Sequence, residues 1–343
     1  MNCESIKKLI LFIFKLALAG GIVWYLLLRD TGLLVSSLRD FDVRYLGMAM
    51  FFYSIHLIVC SWRWKRLAKV LDIPLGRFES FNLSMQGVFF SLVIPGGAIG
   101  GDVVKMAVIS KRTPDGHRME GAFTVLMDRI VGMIALFVLV LVLIPFSFDL
   151  LMSCSIPQIN LTCGMKKILI FLLVALSVTG LSASCLIFFH RFIHKVPFFD
   201  WILKFVDRLS NGIVSRVEQA ADAYSKKKKE IFLLSAASIA GVHLCTVVPM
   251  LFLLSGLGVE YSIFQVITAV TLGNVVGLIP LFPSGIGGRD FVTVTILVAS
   301  GVAQGDAKTA QLLCTAIMIV FNLCGGLFFI FDPGRKCAAV PQE

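Results

Sequence analysis

Apolar positions along this chain come in long unbroken blocks, not in the alternation of a half-buried strand or the stripe of a surface helix. Blocks long enough to cross a bilayer as helices, which takes about 20 apolar residues, run from Leu9 to Leu28, Val43 to Cys60, Ala122 to Ile144, Lys167 to Phe189, Ile231 to Leu254 and Thr309 to Phe331. The pattern predicts an all-α polytopic membrane protein with six full spans, forming a single integral membrane domain over residues 1–343. A membrane β-barrel would need alternating segments of about ten residues, and these blocks do not alternate. Lys7, Lys8 and the small residues around Ala17 and Ala19 suit a cleaved leader. The apolar run nevertheless continues through Trp24 and Tyr25 to Leu28, which favours a retained first helix with an aromatic interface anchor.

Two further apolar segments are interrupted by glycine strings: "PGGAIGGDVVK" at 95–105, inside 81–109, and "PSGIGGRDF" at 283–291, inside 263–302. Aligned on their prolines, both read P-x-G-x-x-G-x-D, with Pro95, Gly97, Gly100 and Asp102 matching Pro283, Gly285, Gly288 and Asp290. The offset of 188 residues also carries Val43 onto Ile231 and Ala122 onto Ala310, each at the start of an expected helix. The chain then divides into a first repeat (9–144) and a second (167–331), each reading span, span, re-entrant half-helix pair, span, with a basic connector at 190–230. Three full crossings per repeat insert the second upside down relative to the first. Transporters built this way hold substrate near the midplane, between half-helix ends. Non-helical backbone at that depth is tolerated only where protein buries it or it lines a wet cavity. The loop residues concerned are Pro95, Gly96, Gly97, Gly100, Gly101, Pro283, Gly285, Gly287 and Gly288. The competing reading makes each string a helix kink with small residues for packing.

Composition agrees with lipid as the main solvent: 57% hydrophobic, 15% charged, mean hydropathy +0.90. A net charge of +10 would suggest nucleic acid in a soluble protein. Here its distribution sets orientation instead, because with a cytoplasmic N-terminus 22 Lys and Arg fall inside and six outside. The expected location is the cytoplasmic (inner) membrane with both termini cytoplasmic.

Six charged residues sit at membrane depth: Asp102, Lys105, Asp128, Arg129, Arg289 and Asp290. Each costs about 2.5 to 3.5 kcal/mol to insert and is by default a functional candidate. Three acids and three bases can pair with one another and hold the repeats together. Alternatively, Lys105, Arg129 and Arg289 bind an anion, aided by the amides that open the half-helices after Gly101 and Gly288. Phosphate fits best, since Arg grips its oxygens as a bidentate fork.

Elsewhere, apolar residues from Phe198 to Val217 recur at helical spacing among Lys204, Arg208 and Arg216, ahead of four lysines from Lys226 to Lys229. This suits an amphipathic helix on the inner leaflet, or a cytosolic helix packed on the bundle. The nine cysteines are scattered, without CxxC, so neither a zinc site nor a disulfide framework is indicated. Only Cys154 and Cys163 share an external loop, which leaves a disulfide between them open. His190 and His194 stand four apart without an acidic partner, so no metal is expected. No cofactor is expected either, and GxxxxGK[ST], HExxH and GxSxG are all absent.

With "SLVIPGGAIGGDVVKMAVISKR", "VLMDRIVGMIAL" and "LIPLFPSGIGGRDF" in this order, the chain resembles the lysylphosphatidylglycerol synthase/flippase transmembrane family from about Lys8 to Phe331. That family includes the membrane half of the bacterial multiple peptide resistance factor. The resemblance implies a lipid-translocating fold carrying the first glycine motif, the Asp128-Arg129 pair and the second glycine motif. Two departures bear on the substrate: the family usually has Glu where Asp128 and Asp290 stand, and commonly an acid near Gly132. Two-domain relatives carry their aminoacyl transferase in a soluble domain, which this sequence lacks, so synthesis of lysyl-phosphatidylglycerol is not expected of it. The expected function is movement of an anionic, phosphate-bearing lipid or lipid-linked precursor between leaflets. The alternatives are an intramembrane lipid-modifying transferase and a structural or regulatory membrane subunit. The expected partner is an anionic membrane lipid and not nucleic acid; a homodimer and a separate lipid-modifying enzyme are further partners left open.

Overall fold

The computed structural model describes residues 37–39, 41–94, 98–113, 117–155, 162–186, 188, 213–279 and 283–332. The first expected span (Leu9 to Leu28) lies outside them, as do Pro95, Gly96, Gly97 and the connector residues 189–212. The described residues are helical throughout, with no strand among them. In chain order the helices are α1 (Val43–Val70), α2 (Arg77–Val93), α3 (Ala98–Arg112), α4 (Arg118–Phe146), α5 (Phe148–Ser153), α6 (Cys163–Leu186), α7 (Ile213–Lys226), α8 (Lys228–Ser238), α9 (Cys245–Gly256), α10 (Ile263–Gly277), α11 (Gly288–Ala299) and α12 (Gln304–Ile330).

Among the described residues, five stretches are long and apolar enough to cross a membrane: α1, α4, α6, the continuous α8–α9 rod and α12. Between α8 and α9 the rod passes through a π-helical turn at Ile239–Leu244, a local widening that often marks a functional position. Local chemistry sets the boundaries. The Asp42 carboxylate accepts the Arg44 amide at 3.0 Å and caps α1. α2 ends at Val93, one residue before Ile94, which the following Pro95 steers to extended backbone at ψ 135°.

Each interrupted segment is a pair of short helices packed side by side, α2 with α3 and α10 with α11. Glycines permit the contact. A Cβ at Gly101 would run into the Gly87 carbonyl and the Ser91 hydroxyl. Gly285, at φ +74°, lies so close to α10 that a Cβ there would come within 2.8 Å of Gly277 Cα. α3 begins at Ala98, earlier than the expected start after Gly101, whereas α11 begins at Gly288 as the string suggests.

The core lies where α1, α4, α9, α10, α11 and α12 converge, around Ala49, Val140, Leu253, Ala269, Leu297 and Ala310. Large apolar side chains such as Phe51, Phe171, Phe232 and Phe331 point outward, the distribution that a lipid solvent allows. α7 packs on the bundle: Tyr224 is fully buried, donates to the Leu67 carbonyl at 2.9 Å and joins Ala220 and Ala221 against Phe123 and Met127. From Ala220 on, therefore, the connector packs on the bundle. Cys154 and Cys163 are both free, so no disulfide joins them.

Candidate functional site

The six charges expected at membrane depth separate into two clusters, and no hydrogen bond or ion pair among the described residues joins them. The first gathers Asp102 and Lys105 from α3 with Asp128 and Arg129 from α4. It also recruits a residue that sequence reasoning placed in a cytoplasmic loop. Arg63 is buried within α1, and its Nε donates to Asp128 at 2.8 Å while Nη1 donates to the Ser238 hydroxyl at 3.2 Å. Lys105 Nζ stands 3.9 Å from the second Asp128 oxygen and 3.7 Å above the centre of the Trp64 ring, a cation–π position that is strengthened by burial. Trp64 is held in turn by its Nε1–H, which donates to the Thr124 hydroxyl at 3.0 Å. Arg129 grips Asp102 through Nε at 2.8 Å and Nη2 at 2.7 Å.

Burial grades this cluster from inside to edge. Arg63 and Lys105 side chains keep 8% of their surface exposed and Asp128 14%, whereas Arg129 and Asp102 keep 29% and 30%. The accessible edge is therefore the Arg129–Asp102 pair, with the Lys105 ammonium behind it. The inventory also changes. Three cations (Arg63, Lys105, Arg129) face two carboxylates (Asp102, Asp128), so the cluster carries one positive charge more than it neutralises. Sequence reasoning, without Arg63, counted all six charges as a balanced set.

The second cluster is balanced and internally closed. Arg289 Nε and Nη2 donate to Asp290 at 3.2 and 3.0 Å, Nη2 also to the Thr315 hydroxyl at 3.0 Å, and Nη1 to Met318 Sδ at 3.0 Å. Gln311 and the Thr315 hydroxyl donate to the same Asp290 oxygen at 2.7 and 3.0 Å. The other Asp290 oxygen accepts the Gly287 amide at 3.0 Å. Asp290 thus caps the start of α11 through the Gly287 amide, just ahead of the amides after Gly288 that were expected to face an anion.

A signal for Arg63 was present in the sequence. Gly132 stands one turn after Asp128, and a Cβ there would lie 3.2 Å from Arg63 Nη1. The missing side chain leaves room for a guanidinium where the resembled family commonly has an acid. The same turn is tied to the π-helical segment through His243, whose Nε2–H donates to the Gly132 carbonyl at 2.9 Å. A third polar group was not foreseen. Buried Asp332, just past α12, pairs with Arg112 at the end of α3 and accepts from Asn82 at 3.3 Å and Gln86 at 2.9 Å on α2. It fastens the first helix pair to the end of the last span.

No group of three or more His, Cys, Asp or Glu among the described residues could hold a metal ion. The first cluster presents a net positive charge behind a partly exposed edge. The chain matches the family model described as "Lysylphosphatidylglycerol synthase TM region" over residues 12–326. It is 22% identical over 331 residues to a UPF0104 membrane protein of Pyrococcus horikoshii, covering 94% of this chain and 97% of that one. It is also 22% identical over 301 residues to a UPF0104 membrane protein of Methanothermobacter thermautotrophicus, covering 84% and 85%. On the family model, which spans all but the two ends, the chain belongs to the family of the lysylphosphatidylglycerol synthase transmembrane region.

Proposed function

We propose that this membrane protein moves an anionic, phosphate-bearing lipid or lipid-linked precursor between the leaflets of the cytoplasmic membrane. The observation that carries this reading is the surplus positive charge of the buried Arg63–Lys105–Asp128 group, which opens at its edge onto the Arg129–Asp102 pair. A buried charge without a counter-ion is costly, and a lipid phosphate entering at Arg129 supplies the missing negative charge. Arg129 takes the phosphate oxygens in its fork as Asp102 lets go, and Lys105 provides the charge behind it. Arg289 and Asp290 act as a lock that fixes α11 to α12.

The proposed architecture is six spans with two re-entrant pairs in inverted repeats. Helix positions support it: Val43 and Lys228, Arg77 and Ile263, Ala98 and Gly288, and Arg118 and Gln304 open corresponding helices 185 to 190 residues apart. Both termini are proposed to be cytoplasmic. With Arg63 and Lys105 moved from loop to interior, the charge count still favours that orientation by 20 to six.

The test is purified protein in liposomes carrying a fluorescent anionic phospholipid in one leaflet. Movement of the unaltered lipid to the other leaflet is expected. A chemically altered lipid would replace the reading with an enzymatic one, and neither outcome would leave a structural subunit.

A further inference from the structure

A cavity of about 510 Å³ lies between α1 and the start of α2, on a face of the bundle away from the charge clusters. Ile58, Ser61, Trp62 and Lys65 line it from α1, and helical periodicity turns Arg63 to the opposite side of that helix. From α2 come Arg77, Ser80 and Phe81. The polar atoms of the floor are spent: the Ser80 hydroxyl donates to the Ser61 carbonyl at 2.6 Å, and the Ser61 hydroxyl to the Ile58 carbonyl at 3.1 Å. The walls are apolar and open outward, with Ile58 53% and Trp62 46% exposed. Lys65 and Arg77 make no hydrogen bond or ion pair with any described residue.

An apolar trough with two cations that have no partner among the described residues has the shape and charge of a site for an anionic phospholipid, acyl chain along Ile58, Trp62 and Phe81 and phosphate at Lys65 and Arg77. Residues 1–36 are the other candidate occupant. They carry Lys7, Lys8, Lys15 and Arg29 against Glu4 and Asp30, a net positive charge that does not complement two cations. We propose that this groove binds one anionic phospholipid of the surrounding bilayer, separately from any lipid the protein moves. The proposal requires membrane embedding and is independent of transport.

The test uses the intact protein in phosphatidylcholine nanodiscs titrated with phospholipid brominated on its acyl chains. Quenching assigned to Trp62 is the part lost in Trp62→Phe. Each basic side chain near the headgroup contributes roughly a fivefold preference, so brominated phosphatidylglycerol should reach half-quenching at roughly twenty-fivefold lower mole fraction than brominated phosphatidylcholine. The double variant Lys65→Gln with Arg77→Gln should bring the two curves together, while Lys65→Arg keeps them apart. Equal quenching by both lipids in the unaltered protein would overturn the proposal. So would absence of Trp62 quenching by either lipid, which would assign the groove to a protein segment. Because lipid movement is not measured, failure here is distinguishable from failure of the transport reading.

Discussion

The substitution Lys105→Met separates a charge kept for substrate from one kept for the fold. At an effective dielectric of about 20, the gross attraction of Asp128 is about 6 kcal/mol to Arg63 at 2.8 Å and about 4 kcal/mol to Lys105 at 3.9 Å. Against the smaller term stand the desolvation of a buried ammonium, itself several kcal/mol, and repulsion from two neighbouring guanidiniums. The net contribution of Lys105 to stability is therefore near zero, within about 1 kcal/mol, even allowing for its place over Trp64. Methionine keeps most of the stem that packs on the ring and leaves both carboxylates with their guanidinium partners. Arg63→Gln differs, because it removes the charge-assisted bond to buried Asp128 and the bond to Ser238. That should cost about 3 kcal/mol. Thermal denaturation in detergent, paired with liposome assays of fluorescent phosphatidylglycerol, reads both quantities. Lys105→Met should melt within about 2 °C of the unaltered protein yet move the anionic lipid at least about tenfold more slowly, the equivalent of ~1.4 kcal/mol. Arg63→Gln should melt several degrees lower. If Lys105→Met destabilises as much as Arg63→Gln, or moves lipid at the unaltered rate, the surplus charge is not a substrate site.

If the second cluster is scaffold, Arg289→Gln alone should lower the melting temperature, and adding Asp290→Asn should recover both stability and lipid movement; recovery of stability without movement would place Arg289 at the substrate. Gly285→Leu, at φ +74° and against Gly277, should abolish movement while leaving inserted protein; full activity would show that the α10–α11 contact is dispensable. In a background lacking native cysteines, Gly96→Cys should label from the cytoplasm and Ser284→Cys from outside; labelling of Ser284→Cys from the cytoplasm alone would sink the inverted repeat.

What the sequence made legible was whatever lipid makes expensive. Runs of 20 apolar residues have few alternatives to spanning helices, so α1, α4, α6, α8–α9 and α12 fall where the runs predict. The glycine strings likewise marked both helix pairs, because few other residues let two backbones come so close. Arg63 escaped for a contrasting reason. It stands at the edge of an apolar block, followed by Lys65, Arg66 and Lys69, and one-dimensional reading cannot distinguish the last interior charge from the first interfacial one. Helical phase could have helped, since Arg63 shares a face with Ala49, one of the fully buried residues of α1, about four turns earlier, and points about 100° away from exposed Trp62. The latch at Asp332 was invisible because its partners Asn82, Gln86 and Arg112 lie at least 220 residues away. No local pattern announces such a contact.

On the proposed repeat the two halves share a frame but differ in charge, and that difference is the strongest argument for where the proposed function lies. In both, the aspartate closing the glycine string ties its short helix to the next long one: Asp102 to Arg129 on α4, Asp290 to Gln311 and Thr315 on α12. At the 188-residue offset, however, Arg63, Lys105, Asp128 and Arg129 correspond to Leu251, Thr293, Ala316 and Ile317. A repeat needs the aspartate tie twice to hold two similar helix pairs. Arg63, Lys105 and Asp128 have no charged counterpart, so symmetry of the scaffold does not explain them, and each has a cost in lipid; the second half's own once-only charge, Arg289, corresponds to Gly101 and is neutralised by Asp290. The Trp64 ring under Lys105 corresponds to Phe252, which stacks on Phe52 at a centroid distance of 5.3 Å with no cation among the described residues above it. An aromatic at this position therefore packs well without a charge. The ammonium over Trp64 is an addition to a frame that closes without it, and on the proposed function an anionic lipid headgroup supplies its further counter-charge.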